Sequence, residues 1–278
     1  MKKYIVILIF FIGAFLTACQ QESDNLGEND QSEQKGNTEQ TIDGEESSDA
    51  NENNEDGTKK NEGEQAEETN KHIAKIEEET GLHVVDNPES KLVYVNKQRQ
   101  LPVGYVPPNL TVPDVPHYAS EGDPKRQLQK VAADALEDLF ATAKNNQVGL
   151  IAVSGYRSYE RQKQIYEYNV ETKGKAHADK YSAIPGTSEH QTGLSMDVAS
   201  ATETSATLLE QTFSQTDAGT WLADHAHDFG FIIRYPKGKS NITGYSYEPW
   251  HIRFVGKEVA ETIYQKGITL EEHFGYDY

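Results

Sequence analysis

The sequence predicts an α+β fold, a small antiparallel sheet flanked by helices. Two observations carry this. From about residue 73 to residue 278, stretches of helical periodicity and short apolar runs follow one another, with turn residues between them. Their order is mixed, and the connections suit antiparallel pairing. These roughly 200 residues are enough for one domain with its own core. No internal repeat is seen.

The elements follow in order. Ile73 to Thr80 reads as a short helix ended by Gly81, and Leu92 to Asn96 (LVYVN) as a short strand. Leu101 to Pro116 carries five prolines and is expected as an extended arm across the domain surface. Asp123-Pro124 is a helix start, with proline at the first helical position. Leu128, Val131, Ala132, Leu136, Leu139, Phe140 and Ala143 then recur at helical spacing. Val148 to Val153 is an apolar run that reads as a buried strand, and Tyr159 to Lys173 returns to helical character. Leu194 to Val198 is a second core strand. Trp221 to Phe229 is a short helix with Gly230 at its end. Phe231 to Ile233 and Trp250 to Phe254 are strands, and Val255 to Lys266 is a helix closed by Gly267.

The first 72 residues are of another kind. Lys2 and Lys3 precede an apolar stretch, Tyr4 to Leu16, too short to span a bilayer comfortably and laid out like a secretion signal. It ends in Leu16-Thr17-Ala18-Cys19, which resembles a bacterial lipobox. That resemblance implies a signal peptide over residues 1–19 and a lipidated N-terminus at Cys19. The protein would then be anchored to the bacterial membrane and face outward. Cys19 is the single cysteine, so the mature chain has neither disulfides nor cysteine-ligated metal. Residues 20–72 hold 17 acidic and 4 basic residues, a net −13 of the chain's −19. With almost no large apolar residues, this segment is expected to stay disordered and extended as a linker. The acidity therefore says little about a substrate. No basic stripe appears, which argues against nucleic acid.

Chemistry concentrates in two blocks. SEHQTGLSMD runs from Ser188 to Asp197, and EPWH from Glu248 to His251. Together they offer His190, Asp197 and His251 as metal ligands, with Glu248 close by in sequence. Two imidazoles and a carboxylate leave a fourth position on a tetrahedral zinc open for water. A separate carboxylate beside that water can act as general base. A turn at Gly193 could bring His190 and Asp197 to one point. In the following strand Ser195 and Asp197 share one face, and Leu194, Met196 and Val198 the other. An aspartate in an apolar strand is costly unless paired or metal-bound. His225 and His227 lie two apart on a helix and do not share a face, so a second metal site is not expected there. His177 and His273 suggest no chemistry.

SGYRS (Ser154 to Ser158), SEHQTGLSMD and EPWHIRF (Glu248 to Phe254) resemble the three signature blocks of the zinc D-alanyl-D-alanine carboxypeptidases of the VanY type. Their L,D-specific relatives trim peptidoglycan stem peptides. The pattern Ser-x-His-x-x-Gly-x-Ala-x-Asp is met at Ser188, His190, Gly193 and Asp197, with Ser195 where alanine is usual. The resemblance covers about residues 90 to 265 and implies the Hedgehog-like D-Ala-D-Ala peptidase fold, with zinc on the sheet and a catalytic domain over residues 73–278. It implies zinc ligands His190, Asp197 and His251, Glu248 as catalytic base, and Arg157 as a cation for the substrate or the oxyanion. An arginine grips a carboxylate with two prongs, which suits recognition of a free C-terminus. Gln162, Ser188, Tyr235 and Trp250 are further candidates for the substrate pocket. A monomer acting on peptidoglycan stem peptides is expected, removing the last D-alanine from a pentapeptide. Cleavage of tetrapeptide stems, with an L-residue before that D-alanine, is the alternative. An endopeptidase would need a groove open at both ends, and a non-catalytic wall-binding module would not need Glu248.

Overall fold

The computed structural model describes residues 75–78, 80–202 and 208–275. The expected signal peptide, Cys19 and the acidic linker lie outside the described residues. The elements are β1 (Lys75–Ile76), β2 (His83–Val84), β3 (Arg99–Gln100), β4 (Leu110–Thr111), β5 (Leu128–Gln129), α1 (Lys130–Asn145), β6 (Leu150–Ser154), α2 (Tyr159–Lys173) and α3 (Lys175–Tyr181). They continue with β7 (Ser195–Ser200), α4 (Asp217–His225), β8 (Phe231–Tyr235), α5 (Ser240–Thr243), β9 (Glu248–Phe254), α6 (Lys257–Lys266) and α7 (Leu270–His273). The central sheet has the order β6-β7-β9-β8, antiparallel throughout. The fold is α+β, as its sequence predicts.

Period-two alternation sorts this sheet into an apolar and a polar face. Met196 and Val198 of β7, Phe231 of β8, and Ile252 and Phe254 of β9 join one core with Leu136 and Leu139 of α1 and Leu222 of α4. The residues between them, Ser195, Asp197, Arg234, His251 and Arg253, are polar and buried. That second face carries the chemistry. A smaller cluster packs Ile232 against Ala260 and Ile263 of α6 and Leu270 of α7.

Three expectations are corrected. The helix expected over Ile73 to Thr80 is not found in its described part, where Lys75–Ile76 pairs antiparallel with His83–Val84. Gly81 has φ +70° and serves a turn between strands; a left-handed glycine ends helices and makes turns alike. Val93 to Asn96 are buried, but LVYVN is not a strand, having only a bridge from Asn96 to Arg99. Its segment instead turns the carbonyls of Lys91 and Val93 towards the Arg253 guanidinium. At Asp123-Pro124 only a single 3-10 turn forms, capped by Asp123 accepting from the Lys125 amide. The chain then extends, because Gln127 O accepts from Tyr156 N and Gln129 N donates to Gly193 O. Helix α1 therefore begins at Lys130. The proline arm is extended and pairs Leu110–Thr111 with Leu128–Gln129.

Candidate active site

Pairing register assembles the site. Asp197 lies opposite both Ser154 and His251, and Glu248 opposite Tyr235. Residues 154, 197 and 251 thus sit side by side on three strands. His190 comes from a 3-10 turn, Glu189–Thr192, closed by Gly193 in the left-handed conformation at φ +67°. This turn returns His190 to Asp197, with Nε2 3.4 Å from Oδ2. His251 Nδ1 is 3.0 Å from Asp197 Oδ1. Ligand atoms of His190, Asp197 and His251 all fall within 4.8 Å of one another, and all three residues are buried.

The remaining ring nitrogens have their own partners. His190 Nδ1 donates to Gly155 O at 2.9 Å, and His251 Nε2 faces Glu189 Oε2 at 3.4 Å. With those nitrogens protonated, His190 Nε2 and His251 Nδ1 are the ring atoms turned towards Asp197, and a metal displacing the proton of His251 Nδ1 would find both lone pairs there. This is how metal-binding imidazoles are held in other proteins. Gly155 must be glycine here, since a Cβ would lie 2.4 Å from Gln127 O. The donor set, two neutral-capable imidazoles and one carboxylate, fits zinc.

Electrostatics agree with a cation site. Burial disfavours the His251 cation, but its hydrogen bonds to Asp197 and Glu189 outweigh burial and raise its pKa to about 9. A neighbourhood that favours a proton on His251 also favours a divalent cation. Burial, aided by the charges of Arg157 and His251, lowers His190 to about 3, so it is a neutral imidazole ready to ligate. Asp197 is held below the usual carboxylate range: burial opposes this, but the neighbouring histidines prevail. Glu248 is pushed up to about 7, by burial first and then by Asp197 and Glu189, against the pull of His251 and Arg157.

A cavity of about 300 Å³ opens over these groups, lined among others by Arg157, Ser188, Tyr235, Glu248 and Trp250. A wider groove of about 970 Å³ shares Arg157 and Asp197 with it and runs past Tyr156 and Arg161. Arg157 follows β6, and its Nη1 donates to Gln162 Oε1 at 2.9 Å. Gln162 is buried and spends its amide on Ala183 O at 2.7 Å. It lines the cavity, and its polar atoms hold Arg157 in place. The Tyr235 ring lies 5.0 Å from the His251 ring and stacks on Tyr245 at 4.5 Å.

The family model described as VanY, D-alanyl-D-alanine carboxypeptidase, matches residues 125–257. A putative carboxypeptidase of Bacillus subtilis, YodJ, is 48% identical over 199 residues, 72% of each chain. The chain belongs to the VanY family. The matched span contains every residue of the cluster just described. Two solved structures are similar as well. The LD-carboxypeptidase LdcB aligns with a TM-score of 0.68 and 48% identity, over 73% of this chain and 92% of that one. The vancomycin resistance D,D-pentapeptidase VanY of the VanB-type cassette, solved with Zn(II), aligns at 0.54 and 35%, over 66% and 99%. This VanY-family chain is accordingly a carboxypeptidase of the zinc-dependent kind.

Sequence reasoning missed the layer beneath this cluster. Glu189, inside the SEHQTG block, is wholly buried between Arg234 and Arg253. The available signal was an arginine inside each of the apolar strands FIIRY and HIRF, since buried charges require partners. His225 and His227 turn to different carboxylate oxygens, His225 Nδ1 lying 3.3 Å from Asp228 Oδ2. His227 Nε2 lies 3.6 Å from Asp228 Oδ1 and 3.5 Å from Glu261, whose side chains are 52% and 45% exposed. Its ring stacks on Tyr264, so the imidazole sits between an aromatic face and two half-exposed carboxylates.

Proposed function

We propose that this chain removes the C-terminal D-alanine from peptidoglycan stem peptides, with His190, Asp197 and His251 holding zinc and Glu248 as general base. The observation that carries this is the convergence of that ligand set with Glu248 and Arg157 around one small cavity. When bound, zinc supplies Lewis acidity, polarising the scissile carbonyl and acidifying water. Glu248, poised near neutrality, takes a proton from the attacking water. The water oxygen bonds to the carbonyl carbon, the C–N bond breaks, and Glu248 returns the proton to the departing amine. Arg157, steadied by Gln162, offers its remaining N–H groups to the terminal carboxylate or to the oxygen that gains charge. Ser188, Tyr235 and Trp250 form walls of the pocket.

Cleavage of tetrapeptide stems is a second reading, favoured by the 48% identity with the LD-carboxypeptidase LdcB. Incubating the protein with purified pentapeptide and tetrapeptide stems and weighing the products separates the two. Loss of one alanine from the pentapeptide supports the first reading, and loss from the tetrapeptide supports the second. Release of larger fragments from cross-linked material alone would point to an endopeptidase, and no product at all to a wall-binding module. A lipid on Cys19 and the acidic segment 20–72 would place the domain outside the membrane, on a tether. Replacing Cys19 with serine would then release the protein from the membrane fraction; retention there would refute the lipid anchor.

A further inference from the structure

Glu189 precedes the ligand His190, but its carboxylate serves the other histidine. Oε1 accepts from Arg234 Nε at 2.7 Å and Arg253 Nη1 at 2.8 Å. Oε2 accepts from Ser195 Oγ at 3.2 Å and faces His251 Nε2 at 3.4 Å. Arg234 is gripped in turn by Glu271 of α7, through two bonds of 2.8 Å. All four charged side chains are buried. The two oxygens of Glu189 therefore have separate partners. Oε1 neutralises the arginines, and Oε2 serves the polar face of the sheet beside the ligands.

We propose that Glu189 is a positioning residue for His251, accepting its Nε2 proton so that Nδ1 is presented to zinc. The inference rests on the ligand assignment above. An imidazole whose far N–H is held by a carboxylate is fixed in tautomer and ring orientation, and is a more basic ligand. Arg234 and Arg253 keep the carboxylate in register, and Glu271 keeps Arg234 in place. The wiring runs from Glu271 of α7 through Arg234 of β8 to Glu189, and from Glu189 to His251 of β9. A purely structural Glu189 would need its contacts to the arginines and Ser195, and no oxygen facing His251 Nε2.

The test is zinc affinity, measured by chelator competition on the folded protein, with thermal unfolding in parallel. In Glu189→Gln the amide retains an oxygen for the arginines and places an NH₂ where His251 needs an acceptor. Its zinc dissociation constant is expected to rise about 10- to 100-fold. Glu271→Gln is the comparison variant: it weakens the same buried network without touching His251. It should unfold at a lower temperature and keep a zinc affinity close to the parent's. Equal affinity in parent and Glu189→Gln would overturn the inference. So would equal weakening in both variants, which would mean the effect runs through the fold. A parent that binds no zinc would remove the ligand assignment itself. Should Glu189→Gln fail to fold, imidazole nitrogen NMR of the zinc-loaded parent gives the answer. His251 should carry a slowly exchanging, downfield Nε2 proton; a bare or rapidly exchanging Nε2 would refute the role.

Discussion

Replacing Arg157 with lysine keeps the positive charge and removes the planar fork. In the structure Arg157 is anchored by one bond to Gln162, which is itself locked on Ala183 O. The anchored plane can meet both oxygens of a substrate carboxylate. A lysine ammonium in its place meets one. The lost charged hydrogen bond is worth about 1.5–3 kcal/mol, or about 10- to 150-fold in kcat/KM. The assay compares a free-acid peptide with the same peptide amidated at its C-terminus. The parent should cleave the amide poorly, because the carboxylate is gone. Arg157→Lys should lose the stated factor on the acid and little more on the amide. Equal losses on both would mean that Arg157 acts on the oxyanion or only shapes the site. Equal hydrolysis of acid and amide by the parent would refute the carboxylate grip and favour an endopeptidase.

Four further outcomes are expected. Glu248→Gln should retain one zinc by metal analysis and lose about 2 to 4 orders of magnitude in kcat; parental turnover would disqualify Glu248 as the base. Glu248 must be deprotonated to act, so kcat/KM should fall as pH falls through its pKa. In the metal-free protein that pKa is raised to about 7. Bound zinc favours the carboxylate and moves the midpoint below this value; the same acid limb in the residual activity of Glu248→Gln would assign it to another group. Gly193→Ala puts a Cβ at φ +67°, 3.0 Å from Leu110 Cδ2, and should cost about 1–3 kcal/mol of stability by denaturant unfolding; an unchanged midpoint would show that the turn relaxes freely. A chain beginning at Ile73 should match the longer protein in kcat on soluble stem peptide, and a large loss would give the acidic segment a part in catalysis.

The cluster of His190, Asp197 and His251, with Glu248 beside it, was legible in the sequence because its chemistry is carried by residue type within short blocks. An aspartate in the apolar strand SMDVAS is costly unless paired or metal-bound, and it is the two blocks together, not EPWH alone, that make the pattern specific. Strands β6 to β9 were legible as short, largely apolar stretches, and alternation within β7 put Met196 and Val198 in the core and Asp197 on the other face. Local patterns failed where distant backbone atoms competed for the chain. The 3-10 turn at Pro124 does not continue into α1, because Gln127 and Gln129 bond to Tyr156 and Gly193. Gln162 was readable as a pocket residue, yet only packing makes it the holder of Arg157. The Glu189 network was hidden for the same reason. Its members lie 45, 64 and 37 residues apart in chain, and charge pairing at that range leaves no periodic trace. The sequence by itself determined which groups could do the chemistry. Tertiary structure alone decided which ring nitrogens face Asp197, because that depends on acceptors, Gly155 O and Glu189, delivered by other segments of the chain.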